Sequence, residues 1–286
     1  MYLKEKAPSG AFFVWARDPR NYQLLVLASL LLAGLSFLDF PVSLRLCLGA
    51  FLVAFLSQYS FIKFFKIKEL SFKSAFISTF SILILLRSNY ELTIYFAVFL
   101  SIASKFLIRF RNKHIFNPSL FGIISVLFIS PFEAWVSAGQ WGTKFVLGFF
   151  VVSAGIWVIH KSNRPQLSLL FLSFFLLLLF LRSLWLGDPL AIFLHQISNG
   201  AFLIFSFFMI SDPKTAPDQF KSQLLFILSV GILVYFFQFH LYWNNPLLWG
   251  LFFSAFLVPL LDLVFKAKRY NWPGRGQLDQ ASNLNF

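Results

Sequence analysis

The sequence predicts an all-α polytopic membrane protein with about ten transmembrane segments in two inverted five-helix repeats. Three observations lead to this prediction. First, 58% of the 286 residues are hydrophobic and 12% are charged, whereas soluble domains average about 45–50% and 25%. Second, the apolar residues fall into ten long runs. Third, an Asn-Pro element occurs twice, and each copy opens the last apolar run of one half of the chain.

The ten runs can be placed in order along the chain. They cover residues 22–38, 41–60, 74–86, 92–107, 118–129, 143–160, 167–186, 190–210, 222–239 and 247–265. A full crossing needs about 20 residues, so we expect the third and fifth runs to form tilted helices or half-helices. Ten spans leave no room for a separate soluble domain, and a single cysteine excludes a disulfide framework.

The basic residues predict the orientation of these spans. When ten segments are threaded from a cytoplasmic N-terminus, 20 of the 24 lysines and arginines lie on the cytoplasmic side. Such a bias is typical of multi-pass proteins of the inner (plasma) membrane. We therefore expect both termini in the cytoplasm. The net charge of +13 then faces the lipid bilayer surface, and nucleic acid is not an expected partner.

The repeated element defines the two halves. Asn117-Pro118 is followed by Leu120, Gly122, Phe128 and Pro131, and the same residue types recur 128 positions later, from Asn245-Pro246 to Pro259. The predicted organisation is a cytoplasmic N-terminal segment (1–21), a first five-span repeat (22–131), a second five-span repeat (132–265) and a cytoplasmic C-terminal tail (266–286). Because five is odd, the second repeat is expected to be inverted, with functional sites where the halves meet.

Three stretches resemble one membrane protein family. They are His-Ile-Phe-Asn-Pro-Ser at 114–119, Ser-Asp-Pro-Lys-Thr-Ala-Pro at 211–217 and Val-Pro-Leu-Leu-Asp at 258–262. In order and spacing they are similar to the NqrB/RnfD family, which comprises the RnfD proteins of Rnf electron-transport complexes and the NqrB proteins of the sodium-translocating NADH:quinone oxidoreductase. The resemblance implies a urea-transporter-like fold and a subunit that passes electrons in a membrane complex coupled to ion movement, with other membrane or cytoplasmic subunits as partners.

The resemblance also bears on cofactors. Members of the family carry FMN covalently on the threonine of a Ser-Gly-Ala-Thr type motif in the loop after the Asn-Pro span. The corresponding loop here, 132–143, ends in Gln140-Trp141-Gly142-Thr143, so the attachment motif is absent. We expect a divergent member without covalent FMN. The resemblance leaves non-covalent FMN, riboflavin or a quinone as ligands, and the chain as an electron-transferring or a non-catalytic subunit of an oxidoreductase.

The Asp212 segment is the first candidate binding site. Pro213 and Pro217 prevent regular helix there and leave backbone groups free to bind a cofactor or cation. We single out Asp212 and Thr215 as cofactor contacts, together with Asn117 of the repeated element. The alternatives are local: an Asx turn at Asp212 and a helix cap at Asn117.

A second polar group lies inside the eighth run. His195 and Asn199 stand there with Gln196 and Ser198, and polar clusters within a bilayer usually face a cavity or the bundle interior. We expect His195 and Asn199 to line a pocket, the alternative being interhelical hydrogen bonds. By contrast, His114 is expected to face solvent or lipid phosphates.

The sequence holds no metal-ligand spacing, no Gly-rich phosphate loop and no catalytic triad pattern, so no catalytic or metal-binding residues are predicted. Arg87, near the outer end of a span, is expected to extend to the membrane surface. Two alternatives to a redox subunit remain open: a transporter or channel for a small solute on the same fold, and a scaffold subunit without cofactor.

Overall fold

A computed structural model describes residues 18–67, 71–111, 113–129, 133–137, 145–161, 164–197 and 200–270. Most of these residues are helical. The helices are α1 (Pro19–Phe37), α2 (Leu44–Phe64), α3 (Lys73–Leu85), α4 (Glu91–Leu107), α5 (Pro118–Ile129), α6 (Phe145–Lys161), α7 (Pro165–Leu186), α8 (Leu190–Ile197), α9 (Gly200–Ile204), α10 (Phe220–Phe239), α11 (Pro246–Ala255) and α12 (Leu257–Val264). A π-helical turn, Phe205–Met209, continues α9.

Each of the ten apolar runs is helical, and the fifth, Pro118–Ile129, has the bounds that the sequence predicts. The eighth and tenth runs are each divided into two helices. The axes of α8 and of α9 with its π turn differ by 51°, and those of α11 and α12 by 43°. In the described part of the chain, four helices, α1, α2, α7 and α10, are long and apolar enough to cross a membrane singly, and the number rises to six if each bent pair is one span. The chain is a multi-pass membrane protein.

Two short antiparallel β-pairs accompany the helices. Strand β1 (Leu86–Ser88) follows α3 and pairs with β4 (Ala134–Val136), which follows α5. Strands β2 (Arg109–Phe110) and β3 (Lys113–His114) form a hairpin between α4 and α5. This hairpin matters for the site, because it turns the chain from the end of α4 back to the Asn-Pro element.

The two copies of the Asn-Pro element pack in the same way. Gly122 of α5 lies against α4, where an added Cβ atom would overlap the carbonyl oxygen of Ala97. Gly250 of α11 lies against α10, where an added Cβ atom would overlap the Val234 side chain. In both copies, glycine lets an Asn-Pro helix approach the helix that precedes it along the chain.

We expect Gly122→Ala to lower the free energy of unfolding by about 1–3 kcal/mol, because a close-packed helix pair has to move apart to admit the methyl group. Thermal unfolding in detergent would measure the change. Gly148→Ala in α6 is the matched control, since no atom lies within 4 Å of the Cβ position there. Equal stability of the two variants would contradict the account of α4–α5 packing.

The expectation for Arg87 is wrong. Its side chain is 4% exposed and points into the protein instead of reaching the membrane surface. The guanidinium donates to the carbonyl oxygens of Leu83 (2.7 Å), Ile84 (3.2 Å) and Leu86 (2.8 Å). Because α3 ends at Leu85, its last carbonyls have no helical partner, and a cation at this end is favoured.

The halves meet around the Asn-Pro element of the first half. The Phe116 ring stacks on Phe252 of α11 at 4.8 Å between centroids and meets Phe256 edge-on at 5.1 Å. This contact brings the start of α5 beside the second half, and it positions the polar side chains described next.

Candidate functional site

Asn117 joins the two halves through its side chain. Its Oδ1 accepts hydrogen bonds from the backbone amides of Ser119 (3.1 Å) and Leu120 (3.3 Å) and from the Ser119 hydroxyl (2.7 Å), which caps α5 as the sequence suggested. Its Nδ2 donates across to the Met209 carbonyl oxygen (3.4 Å) and lies 3.5 Å from Asp212 Oδ2. Asn245, the second copy, has a left-handed backbone and makes no side-chain cap.

The Asp212 segment follows the π-helical turn. Asp212 Oδ1 accepts from the Lys214 amide at 3.0 Å, so the Asx turn is present. The amides of Thr215 and Ala216 donate to the Asp212 carbonyl oxygen at 3.3 and 3.2 Å, and the Thr215 hydroxyl donates to the same oxygen at 3.4 Å. Burial raises the pKa of Asp212, and the nearby amide and hydroxyl donors only partly offset this. Asp212 thus uses one oxygen locally and turns the other toward Asn117.

A cavity of about 410 Å³ lies beside these two residues. Both halves and the C-terminal tail contribute to it. The first half supplies residues of α1 to α4, the β2–β3 hairpin and the start of α5; the second supplies Val158 of α6 and residues between 208 and 218; and the tail supplies Arg269 and Tyr270. Its volume falls within the range of small-molecule sites, about 300–1,000 Å³. Its lining is unusually polar for a membrane protein. The polar members that matter below are Gln58, Ser74, Lys105, Arg109, His114, Asn117, Asp212 and Arg269.

Three buried polar groups of the lining are poorly satisfied. Lys105, in the last turn of α4, is 4% exposed, and its one hydrogen bond to a described residue goes to the Ser74 hydroxyl, at a long 3.4 Å. The Oε1 of Gln58 and the Nδ1 of His114 are buried and make no hydrogen bond with the part of the chain that the structure describes. Unsatisfied buried polar atoms are uncommon in native proteins, because each costs about 1–3 kcal/mol. They make this cavity a candidate binding site for a polar ligand.

The chemistry of His114 can be specified further. Its pKa is lowered to about 3, mainly by burial and then by the positive charges of Arg109, Lys105 and Lys214. The ring is therefore neutral, with one donor and one acceptor nitrogen. The Lys105 backbone raises the pKa of His114 by less than these effects lower it. Nδ1 has no hydrogen-bond partner among the described residues, so it can donate to a ligand or accept from one, according to the tautomer. The sequence suggested that His114 faces solvent or lipid phosphates. That expectation is wrong, because the β2–β3 hairpin folds His114 against the cavity.

The charge of the lining is strongly positive. The lining residues include six basic and two acidic side chains. The basic ones are Arg20, Lys105, Arg109, Lys113, Lys214 and Arg269, and the acidic ones are Asp212 and Asp218. Arg20 is neutralised by Asp18 at 2.8 Å. Lys113 is neutralised by Asp218 and Asp262. The excess charge favours an anionic ligand or an electron-rich group such as a carbonyl.

An ion-pair cluster holds one side of this cavity together. The Asp218 carboxylate contacts Lys113 at 3.1 Å and Arg164 at 2.9 Å, and Lys113 also contacts Asp262 at 2.6 Å. Asp218 Oδ1 accepts from the Tyr270 amide at 3.1 Å, and the Arg164 guanidinium lies 4.7 Å from the centre of the Tyr270 ring. Burial alone would raise the pKa of Asp218, but the two cations outweigh it and hold that pKa below its ordinary value.

The sequence-predicted residues are only partly brought together. Asn117 and Asp212 line the cavity side by side. Thr215 is not among the lining residues; it is buried, and its hydroxyl donates to the Asp212 carbonyl oxygen. His195 is exposed on α8 and is not among the lining residues. Asn199 lies outside the described residues, as does most of the loop that lacks the flavin-attachment motif.

Sequence reasoning missed Gln58, Lys105 and His114 as site residues. Gln58 and Lys105 are polar residues inside apolar runs, a signal that points to a cavity-facing position. His114 directly precedes the Asn-Pro element.

Comparison with known proteins gives an independent result. Residues 136–271 match the sequence model of the NQR2, RnfD, RnfE family. An 84-residue stretch is 26% identical to the D-type subunit of the ion-translocating oxidoreductase complex of Haemophilus influenzae strains PittEE and PittGG, covering 29% of this chain and 24% of those proteins. The alignment thus spans about a quarter of the length of these curated relatives. Residues 136–271 carry the pattern of the NQR2, RnfD, RnfE family, which confirms the resemblance that the 211–217 and 258–262 stretches indicated.

Proposed function

We propose that this protein is an integral membrane subunit of an Rnf/Nqr-type ion-translocating electron-transport complex, and that its cavity holds a flavin without a covalent bond. The flavin assignment rests on one observation, the set of buried polar groups in the cavity that lack good hydrogen-bond partners. Gln58 Oε1 is an acceptor that needs a donor, Lys105 is a donor that needs an acceptor, and Nδ1 of the neutral His114 ring can take either role. The pyrimidine edge of a flavin offers both, an N–H flanked by two carbonyl groups.

A bound flavin would supply one- and two-electron transfer, which no side chain of this site provides. The protein's contribution is electrostatic and geometric. The Lys105 ammonium, shielded from water, would stabilise negative charge on the ligand. Asn117 and Asp212 support the wall of the cavity from opposite halves. Gln58 Oε1 would accept from the ligand N–H, and His114 Nδ1 would donate to one of the two flanking carbonyl groups.

We also propose the finer architecture for which the sequence argues: ten membrane segments, two inverted halves and cytoplasmic termini in the inner membrane. The equivalent packing of Gly122 and Gly250 supports a duplicated helix pair. All six cations of the cavity belong to segments that the basic-residue distribution assigns to the cytoplasmic side. The cavity would then open to the cytoplasm, where soluble partner subunits could exchange electrons with its ligand.

The flavin proposal is tested by the spectrum of the purified protein. We expect protein purified in mild detergent, or supplemented with flavin, to show the flavin absorption bands and to retain them through gel filtration. A colourless preparation that has no extractable flavin and takes up none would contradict the proposal and favour the solute-transport or scaffold alternative.

We expect His114→Leu to weaken flavin binding about tenfold, because one hydrogen bond to the ligand is lost. Fluorescence titration of the purified variant would measure this. His160→Leu, at an exposed position near the end of α6, is the matched control and should bind as the parent protein does. Equal weakening in both variants would speak against a ligand contact by His114.

A further inference from the structure

A second, smaller cavity lies between the β2–β3 hairpin and the end of α12. Its volume is about 160 Å³. An ion pair fixes its two sides relative to each other, because the Lys113 ammonium of the hairpin lies 2.6 Å from Asp262 Oδ2 of α12. Arg111, two residues before Lys113, and Lys266, four residues after Asp262, both line the small space beside this ion pair. The two basic side chains therefore belong to one site.

The smaller cavity carries an excess of positive charge. Its basic lining residues are Arg111, Lys113, Lys266 and Arg269, and its acidic ones are Asp218 and Asp262. Both carboxylates are already bound. Asp262 Oδ1 accepts from the Asp218 amide at 3.2 Å and Oδ2 contacts Lys113, while the Asp218 carboxylate is shared between Lys113 and Arg164. Within the described ranges, the other three basic residues form no salt bridge, and all three are exposed. Their charge is available to an anionic ligand.

The smaller cavity also lies where an apolar helix face ends. Leu260 and Val264, one turn apart on α12, are 58% and 73% exposed. Lys266 and two further basic residues follow within five positions of Val264. In a multi-pass membrane protein, exposed leucine and valine face the lipid chains, and the lysines and arginines that follow them extend to the headgroups. The cavity therefore lies at the level of the lipid phosphates.

The rest of the lining is mainly apolar. It includes the side chains of Phe110, Ile115, Val258, Pro259 and Phe265. A small soluble anion would use the basic side chains but leave this apolar wall in contact with water. An anionic phospholipid uses both, since its phosphate matches the cations and its glycerol and acyl chains lie against apolar surface. Basic pockets between membrane helices suit such headgroups.

We propose that the smaller cavity binds the headgroup of an anionic phospholipid. The phosphate lies at Arg111 and Lys266, and the acyl chains follow Leu260 and Val264 on α12. A lipid bound in this way holds the β2–β3 hairpin, which belongs to the first half, against α12 of the second half. Lipid binding here needs no flavin, so it is tested separately from the function proposed above.

The test measures, by native mass spectrometry, which lipids the delipidated full chain takes up in neutral detergent. It compares phosphatidylglycerol with phosphatidylcholine of the same acyl chains. We expect the first phosphatidylglycerol to bind about 10–30-fold more tightly than phosphatidylcholine, the effect of about two basic side chains beside a headgroup. Phosphatidylglycerol should also raise the unfolding temperature, because it binds the folded chain. Equal affinity for the two lipids would overturn the site.

Variants identify the residues. In Arg111→Gln/Lys266→Gln, the affinity for phosphatidylglycerol should fall to that for phosphatidylcholine. The unfolding temperature without lipid should stay that of the parent protein, because both side chains are exposed and form no salt bridge with a described residue. The charge-preserving exchange Arg111→Lys/Lys266→Arg should keep the preference. Its loss in that variant as well would mean that the positive charges do not bind the lipid, and would overturn the site.

Lys63→Gln/Lys66→Gln is the matched control. Both lysines are exposed at the end of α2 and line neither cavity. Lys66 also shares the left-handed backbone of Arg111, with φ angles of 50° and 48°. The control should keep the full preference for phosphatidylglycerol. An equal loss in the two Gln pairs would reduce the preference to general electrostatics and overturn the site.

Two further probes separate the lipid from a soluble phosphate compound. Glycerophosphoglycerol, which is the same headgroup without acyl chains, and inorganic phosphate should displace phosphatidylglycerol only weakly, because neither contacts the apolar face of α12. Displacement by either one as effective as that by phosphatidylglycerol of another chain length would assign the cavity to soluble phosphates and overturn the inference.

Discussion

Asp218→Asn is expected to lower the free energy of unfolding by about 3–5 kcal/mol, the loss typical when one member of a buried ion pair is removed. The side chain of Asp218 is 8% exposed, and its partners Lys113 and Arg164 are 13% and 9% exposed. Once the carboxylate is gone, Arg164 keeps the Pro217 carbonyl oxygen at 3.1 Å and the Tyr270 ring but has no acidic partner among the described residues, and Lys113 keeps Asp262. The positive charges of Lys113 and Arg164 then remain buried with too little negative charge beside them, which destabilises the folded state.

The measurement is unfolding by heat or denaturant in detergent, with Asp188→Asn as the control. Asp188 pairs with Arg182 at 3.7 Å, and both side chains are 24% exposed, so its loss should cost about 1 kcal/mol or less. If the two variants lose equal stability, the cluster around Asp218 does not hold the halves together as described.

The same residue has a pH signature. Because the pKa of Asp218 is lower in the folded protein than its ordinary value of 3.8, its contribution to stability is present above pH 3.8 and is lost as pH falls through the folded value. Asp18 behaves alike, since Arg20 and Lys73 outweigh burial and lower its pKa to about 2. The parent protein should therefore lose stability below about pH 4, and Asp218→Asn should show a shallower loss over the same range.

Lys105→Met is expected to have two opposite effects. Binding of FMN should weaken about 100-fold, because a buried charged donor to the ligand is removed. The ligand-free protein should become more stable by about 1–4 kcal/mol, because methionine fills the same space without the cost of a buried charge. An increase in stability together with a loss of binding is typical of a residue kept for function.

Thermal unfolding with and without FMN, together with fluorescence titration, would measure both effects of Lys105→Met. Lys63→Met, at an exposed position near the end of α2, is the control and should change neither quantity. A destabilised Lys105→Met protein would show that the ammonium serves the fold and would count against its role toward a ligand.

The helices could be predicted from the sequence because burial in lipid demands long apolar runs, and eight of the ten runs each contain one helix while the eighth and tenth each contain two. The break between α8 and α9 with its π turn was not predicted, because the polar group of the eighth run, from His195 to Asn199, was interpreted as lining a pocket and not as the end of a helix. Arg87 was misplaced for a related reason. Its surroundings are carbonyl groups at the end of a short helix, and helix ends are the least predictable feature of an apolar run.

The candidate site was predictable only where a local motif marks it. Asn117 and Asp212 stand in such motifs, and the structure brings them within 3.5 Å of each other. Gln58, Lys105 and His114 come from three separate parts of the first half, and their convergence depends on how α2, α4 and the β2–β3 hairpin pack. His195 was favoured because polar residues in a membrane usually face inward, but α8 presents it on an exposed face.

The ion-pair cluster also sets an order of events during biosynthesis. Asp218 binds Lys113, 105 residues earlier in the chain, and the Tyr270 amide, 52 residues later. The wall of the cavity therefore closes only after α12 has left the ribosome and entered the membrane. Loading of the ligand becomes a late step of maturation, and nascent chains that stop before residue 270 pass through the insertion machinery with an open, highly charged cleft.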